Sequence, residues 1–156
     1  MIYKITYLLL FLMLGNMKYG TAQTRELFLV AGQSNCVGMG DTPLSVLCDS
    51  SSAFEYKASQ NSLTPLKDPV GENYLSFQIA STGSVWPSFA YHYHLLTNDT
   101  IVIIPAARGG SSCNKKAEIP NDGTWDTSGT ILLFPNTITK TKMAEQKTGL
   151  PLSGII

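Results

Sequence analysis

Charge is scarce in this sequence: 14% of its 156 residues are Asp, Glu, Lys or Arg, and eleven basic side chains balance eleven acidic ones. Without an excess or cluster of Lys and Arg there is no electrostatic footprint for binding nucleic acid. Low charge beside 44% hydrophobic residues also excludes a disordered chain, which needs the opposite balance. Histidine is limited to His92 and His94, and cysteine to Cys36, Cys48 and Cys113. No Cys-x-x-Cys occurs and neither histidine has spaced partners, so no metal site is indicated. Gly38-Met39-Gly40 lacks the third glycine of a dinucleotide fingerprint, which leaves little case for a nucleotide site. Long apolar runs are missing as well. The longest, Ile5 to Leu14, is too short to cross roughly 30 Å of hydrocarbon.

That run has another use. Lys4 precedes it, and Gly20-Thr21-Ala22 places small residues where a signal peptidase reads them. Residues 1–22 therefore read as a secretory signal cleaved after Ala22, giving a secreted or periplasmic protein with no membrane contact after cleavage. Removing Lys4 and Lys18 leaves nine basic residues against eleven acidic, a mildly acidic mature chain over 23–156. Export permits disulfides, and three cysteines allow three single pairings among which spacing does not choose.

Along the mature chain, Leu27 to Ala31 is an apolar run ended by Gly32, the pattern of a strand buried on both faces. Residues 41–83 are polar, rich in Ser, Pro and Asn, and nearly aperiodic; within them Ala53–Lys57 and Leu63–Leu66 fit a small peripheral hairpin. Pro87 marks a helix start, with Phe89, Ala90, Tyr93 and Leu96 on one face. Thr100 to Ile104 is a β-branched strand, followed by a loop containing Gly109-Gly110. A second helix is expected over Pro135–Thr148, stopped by Gly149 and Pro151, before another apolar run begins at Leu152. Strand, helix, strand, helix, strand implies a parallel sheet covered by helices on its faces. Ligands bind such sheets beyond the carboxyl ends of the strands, which puts Gly32–Gly40 and Ala106–Asn114 at the binding edge.

Gly32-Gln33-Ser34-Asn35 directly follows the first strand. A serine on a tight turn there exposes its hydroxyl, and the following helix offers backbone N–H groups to an oxyanion; a plain capping or turn role is the competing interpretation.

This block resembles the first block of the SGNH (GDSL-like) hydrolases, more specifically the sialate O-acetylesterase and acetylxylan esterase branch of carbohydrate esterases. Lys67-Asp68-Pro69 with Gly83 to Phe89 is similar to that family's approach to its first helix. Pro105 to Ser112 resembles its glycine-rich second block, and Trp125 matches a tryptophan that often follows. The resemblance implies a flavodoxin-like α/β/α fold, an O-acetylated carbohydrate substrate, no cofactor, and hydrolysis through an acyl-enzyme. Ser34 would be the nucleophile and one oxyanion donor; Gly109 or Gly110 would supply a second donor. Gln33 and Asn35 would brace the loop, and Arg108 is expected as a solvated loop cation. Cys36 and Cys113 lie on the two loops and are the favoured pair if any disulfide forms.

Two family features are missing. No Asp-x-x-His occurs, and neither does the Trp-x-Gln-Gly-Glu of the third block, which would begin near Gly154-Ile155-Ile156. His92 and His94, inside the expected helix, are poor substitutes for the missing base. The resemblance therefore implies an N-terminal part of the domain, cut in its third strand and inactive as it stands. A non-catalytic, secreted carbohydrate-binding protein of the same fold is the alternative.

Overall fold

The computed structural model describes residues 24–156; the expected signal peptide lies outside them. Five strands form one sheet: β1 (Arg25–Gly32), β2 (Ala53–Lys57), β3 (Ser62–Pro65), β4 (Thr100–Ala107) and β5 (Leu152–Ile155), in spatial order β3-β2-β4-β1-β5. Three helices accompany them: the one-turn α1 (Ser34–Val37), α2 (Trp86–Thr97) and α3 (Leu133–Thr148). None of the described helices is long and apolar enough to span a membrane.

The continuous apolar runs of β1 and β4 are explained by burial on both faces. Side chains alternate across a strand, so Leu27, Leu29, Val102, Ile104 and Ala106 form one core with Leu133 and Ala144 of α3. Val30, Ile101 and Ile103 point the other way, into a second core with Trp86 and Ala90 of α2. The result is three layers, helix, sheet and helix, as expected. Pro87 falls in the first turn of α2, where its missing N–H costs nothing. Gly149 ends α3 in the left-handed conformation at φ 71, its N–H donating to the Glu145 carbonyl at 2.8 Å. α3 begins two residues before the expected Pro135, because proline fits within a first turn.

Two expectations need correction. The sheet is mixed rather than wholly parallel: β2, β4, β1 and β5 run parallel, and β3 is an antiparallel edge strand. The hairpin is also not peripheral throughout. β2 pairs with β3 on one side and with β4 on the other, through Ala53↔Ile101 to Glu55↔Ile103. The open edge of β4 supplies that ladder, and Tyr56 of β2 is completely buried in the core.

Pairing of β2 with β4 stops at Ile103, whereas β4 continues to Ala107. On the β2 side the odd-numbered residues of β4 present their polar groups: Ile101 N–H donates to Ser52 there. Further along, donors from outside the sheet take over. The fully buried Lys140 of α3 donates to the Pro105 carbonyl at 2.7 Å, and the Gln78 N–H to that of Ala107 at 3.0 Å. Proline suits position 105, where the β2 ladder is already broken and no strand partner asks for its N–H.

Candidate active site

β1 and β4 are in register from Arg25↔Thr100 to Gly32↔Ala107, and the Arg108 N–H still donates to the Gly32 carbonyl at 3.0 Å. The two strands therefore end together, and the loops leaving them share the carboxyl edge of the sheet. This single register brings the Gln33–Asn35 turn beside the Arg108–Gly110 loop.

The first turn is tight because it lacks a side chain where it must. A Cβ on Gly32 would lie 3.1 Å from both Cβ and Sγ of Cys36. Ser34 is the first residue of α1 and is half-buried, its Oγ 3.4 Å from Gln33 Oε1. The N–H groups of Cys36 and Val37 both donate to the Gln33 carbonyl, at 2.8 and 3.0 Å. Those of Ser34 and Asn35 have no acceptor among the described residues. Gln33 and Asn35 are exposed. Gln33 touches the serine hydroxyl, whereas Asn35 lines an open groove of about 410 Å³ with Met39, Ser84 and Val85.

Behind the turn, Trp86 Nε1 donates to the Cys36 carbonyl at 2.7 Å. Gly40 and Gly83 exchange backbone hydrogen bonds of 2.7 and 2.9 Å. Gly38, at φ 113, sits where a Cβ would come within 2.6 Å of Ser84 Cβ. The Gly83–Phe89 segment singled out in the sequence is thus the backing wall of the serine turn. Burial pushes the Cys36 thiol up, away from the reactive thiolate, so it offers no rival nucleophile. Cys36, Cys48 and Cys113 are all free, and the favoured Cys36–Cys113 pairing is not made. Cys36 is tucked over Gly32 while Cys113 is exposed.

In the second loop the two glycines differ. The Gly109 N–H donates to Gln78 Oε1 at 2.7 Å. Gly110 has φ 70 and is exposed, its N–H without an acceptor among the described residues. A Cβ on Gly110 would come within 2.7 Å of Asp122 Cγ. Arg108 is not the solvated cation expected. Its Nη1 donates to the Ser76 carbonyl at 2.7 Å, and Nε and Nη2 both donate to that of Asn121, so it ties three loops together. Trp125, matched to the family's tryptophan, donates from Nε1 to Ser111 Oγ at 3.1 Å and steadies the far end of the loop.

The histidines stand elsewhere. His94 Nδ1 pairs with the Asp99 carbonyl at 2.8 Å, just before β4 begins, at the amino edge of the sheet. His92 Nδ1 pairs with the Ser88 carbonyl of its own helix and is exposed. Neither is at the serine turn. Among the described residues no group of three or more His, Cys, Asp or Glu could hold a metal ion. Gln78, Ser76 and Asn121, which shape the second loop, escaped the sequence reading because they lie in polar, aperiodic segments.

A mixed sheet whose parallel first strand delivers a Gly-Gln-Ser-Asn turn, with a glycine loop beside it from the neighbouring parallel strand, defines an SGNH-type α/β hydrolase. Residues 24–156 match the family described as carbohydrate esterase, sialic acid-specific acetylesterase, and the chain belongs to that family. No curated protein matches it at a significant level. Membership carries the family's general activity, carbohydrate ester hydrolysis, with an acetylated carbohydrate as the substrate class.

Proposed function

We propose that the chain carries the nucleophile and oxyanion hole of a secreted carbohydrate O-acetylesterase. The common ending of β1 and β4 supports this most directly, because the serine turn and the Gly109-Gly110 loop leave the same sheet edge, and the Ser34 and Gly110 N–H groups have no acceptor among the described residues. Ser34 Oγ attacks the acetyl carbonyl as its proton passes to a base. The oxyanion of the tetrahedral intermediate accepts from the Ser34 and Gly110 N–H groups. Collapse breaks the C–O bond to the sugar, whose oxygen takes the proton back, and leaves acetyl-Ser34. Water then attacks this ester, giving its proton to the base, and releases acetate and the free serine.

No histidine among the described residues serves as that base, and a serine hydroxyl is a weak nucleophile without one. The chain alone is therefore a slow esterase, and added imidazole accelerates it. Acetate release from an acetylated sugar should rise with imidazole concentration for the chain and stay at the solution background for Ser34→Ala. Equal rates for the two would refute Ser34 as nucleophile. The same lack of a histidine favours the second reading, a non-catalytic carbohydrate-binding protein. That reading predicts saturable sugar binding with no Ser34-dependent acetate release at any imidazole concentration. Export follows from residues 1–22, and sequencing of the exported protein should begin at Gln23.

A further inference from the structure

We propose that Gln78 is a positioning residue for ester hydrolysis: it claims the Gly109 N–H and so makes Gly110 the oxyanion donor of the second loop. This rests on the Ser34 reading above. Gln78 bonds on both sides of Arg108, its own N–H to the Ala107 carbonyl at 3.0 Å and its Oε1 to the Gly109 N–H at 2.7 Å. A Cβ on Gly109 would lie 3.2 Å from that same oxygen, so the absent side chain at 109 lets the amide seat. With Gly109 fixed and Gly110 turned to φ 70, the donor left over is that of Gly110.

The segment bearing Gln78 is itself held hard. Leu75 and Ser76 are consecutive non-glycine residues at φ 52 and 66, a costly conformation that persists only where neighbours enforce it. Asn136 of α3 donates to the Leu75 carbonyl at 2.9 Å, and Arg108 donates to that of Ser76 at 2.7 Å. Phe77, next in the chain, is buried in the core, against which Leu75 also packs. Gln78 is thus fixed from α3, from the core and from the loop it orders. Strain beside the Arg108–Gly110 loop, enforced from three directions, fits pre-organisation of a donor.

The test uses the chain with an aryl acetate and imidazole, following acetylation of Ser34. Gln78→Met keeps the length of the side chain without its acceptor, whereas Gln78→Glu keeps the acceptor. Displacing one oxyanion donor predicts a fall of about tenfold or more in the saturated rate for Gln78→Met, with KM little changed. Gln78→Glu should restore most of it. In the parent chain the Gly109 amide should exchange slowly with solvent, and in Gln78→Met quickly. An unchanged rate in Gln78→Met, equal losses in Met and Glu, or a fast-exchanging Gly109 amide in the parent chain would each overturn the proposal. Should Gln78→Met fail to fold, the exchange measurement on the parent chain decides. A Ser34→Ala variant acetylated as fast as the parent would instead sink the esterase reading, leaving the Gly109 exchange test of the clamp standing.

Discussion

Lys140→Met is the perturbation whose cost the structure defines best. Lys140 Nζ is inaccessible to solvent, 2.7 Å from the Pro105 carbonyl and 3.0 Å from Glu72 Oε1, above the ring of Phe77. Removing one partner of a buried ion pair costs about 3–5 kcal/mol when the other charge is stranded. Glu72 is not stranded: it still accepts from Ala58 N–H at 2.6 Å, Ser59 N–H at 3.2 Å and Ser59 Oγ at 2.6 Å. Burial also lowers the Lys140 pKa despite Glu72 and Glu55 nearby, so its charge is carried at a net cost that methionine relieves. What remains is the charged hydrogen bond to the Pro105 carbonyl, giving a loss of about 2 kcal/mol. The reverse change, Glu72→Leu, leaves a buried cation on one carbonyl and unpairs the Ala58 and Ser59 donors, so about 3–5 kcal/mol is expected. Urea unfolding followed by Trp86 and Trp125 fluorescence measures both as midpoint shifts at unchanged slope. The pH dependence is a second check. Hydrogen bonds and Lys140 hold Glu72 below its ordinary value, so its contribution is present above the usual carboxylate range and lost as pH falls through its folded pKa. The deficit of Lys140→Met should therefore shrink on acidification. Glu55, raised by burial, shifts the opposite way in both proteins, with Lys57 and the Gly71 N–H as its own partners. A Lys140→Met loss larger than that of Glu72→Leu, or one independent of pH, would refute the reasoning.

Gly38→Ala meets both a left-handed backbone and Ser84, and should cost about 2 kcal/mol or more by thermal or urea unfolding. Gly149→Ala, at the less extreme φ of 71 and with open space around it, should cost only about 1 kcal/mol; equal losses would contradict this account of backbone and packing. With an aromatic disulfide reagent, Cys113 should react first and Cys36 and Cys48 only slowly, since burial raises both of their thiols. Fewer than three titratable thiols in the unfolded, unreduced chain would show that a disulfide forms after all. Tyr93 donates to Glu26 at 2.8 Å and is pushed up to about 12, so ultraviolet titration should show a late phenol that Tyr93→Phe removes, leaving the buried Tyr56, which burial also raises. Because the folded protein keeps this proton longer than the unfolded chain, stability should fall as pH rises through that window.

Legibility in the sequence followed how local the cause was. β1 and β4 were readable because burial on both faces leaves an uninterrupted apolar run, and the caps of α2 and α3 because Pro87 and Gly149 act on their own turns. The start of the serine turn was readable for the same reason, since Gly32 makes room for Cys36 four residues on, whereas Gly38 answers to the distant Ser84. The interior place of β2 was hidden, because Glu55 and Lys57 look like solvent-facing residues until each is seen paired with the other and with Gly71. Lys140 was hidden too, since a lysine in a polar helix ordinarily faces water. The path of residues 66–83 answers to distant partners: Asp68 to Ser45 and Ser84, Glu72 to the β2–β3 turn, Gln78 to Gly109. No periodicity records such bonds.

These hidden residues share one origin. β4 must outrun β2 for its loop to reach the serine turn, and the overhang leaves the Pro105 and Ala107 carbonyls facing a side with no strand. Buried carbonyls require donors. An ammonium from α3 serves the first and the backbone of the 73–78 segment the second. The segment that caps Ala107 then extends its glutamine to Gly109, so the bond that completes the sheet also sorts the glycines of the loop. Glu72, a few residues earlier on the same segment, pairs with the lysine that caps Pro105. The polar stretch between β3 and α2 is therefore the missing neighbour of the end of β4, and through it the stability of the sheet edge and the geometry of the proposed oxyanion hole depend on the same few hydrogen bonds.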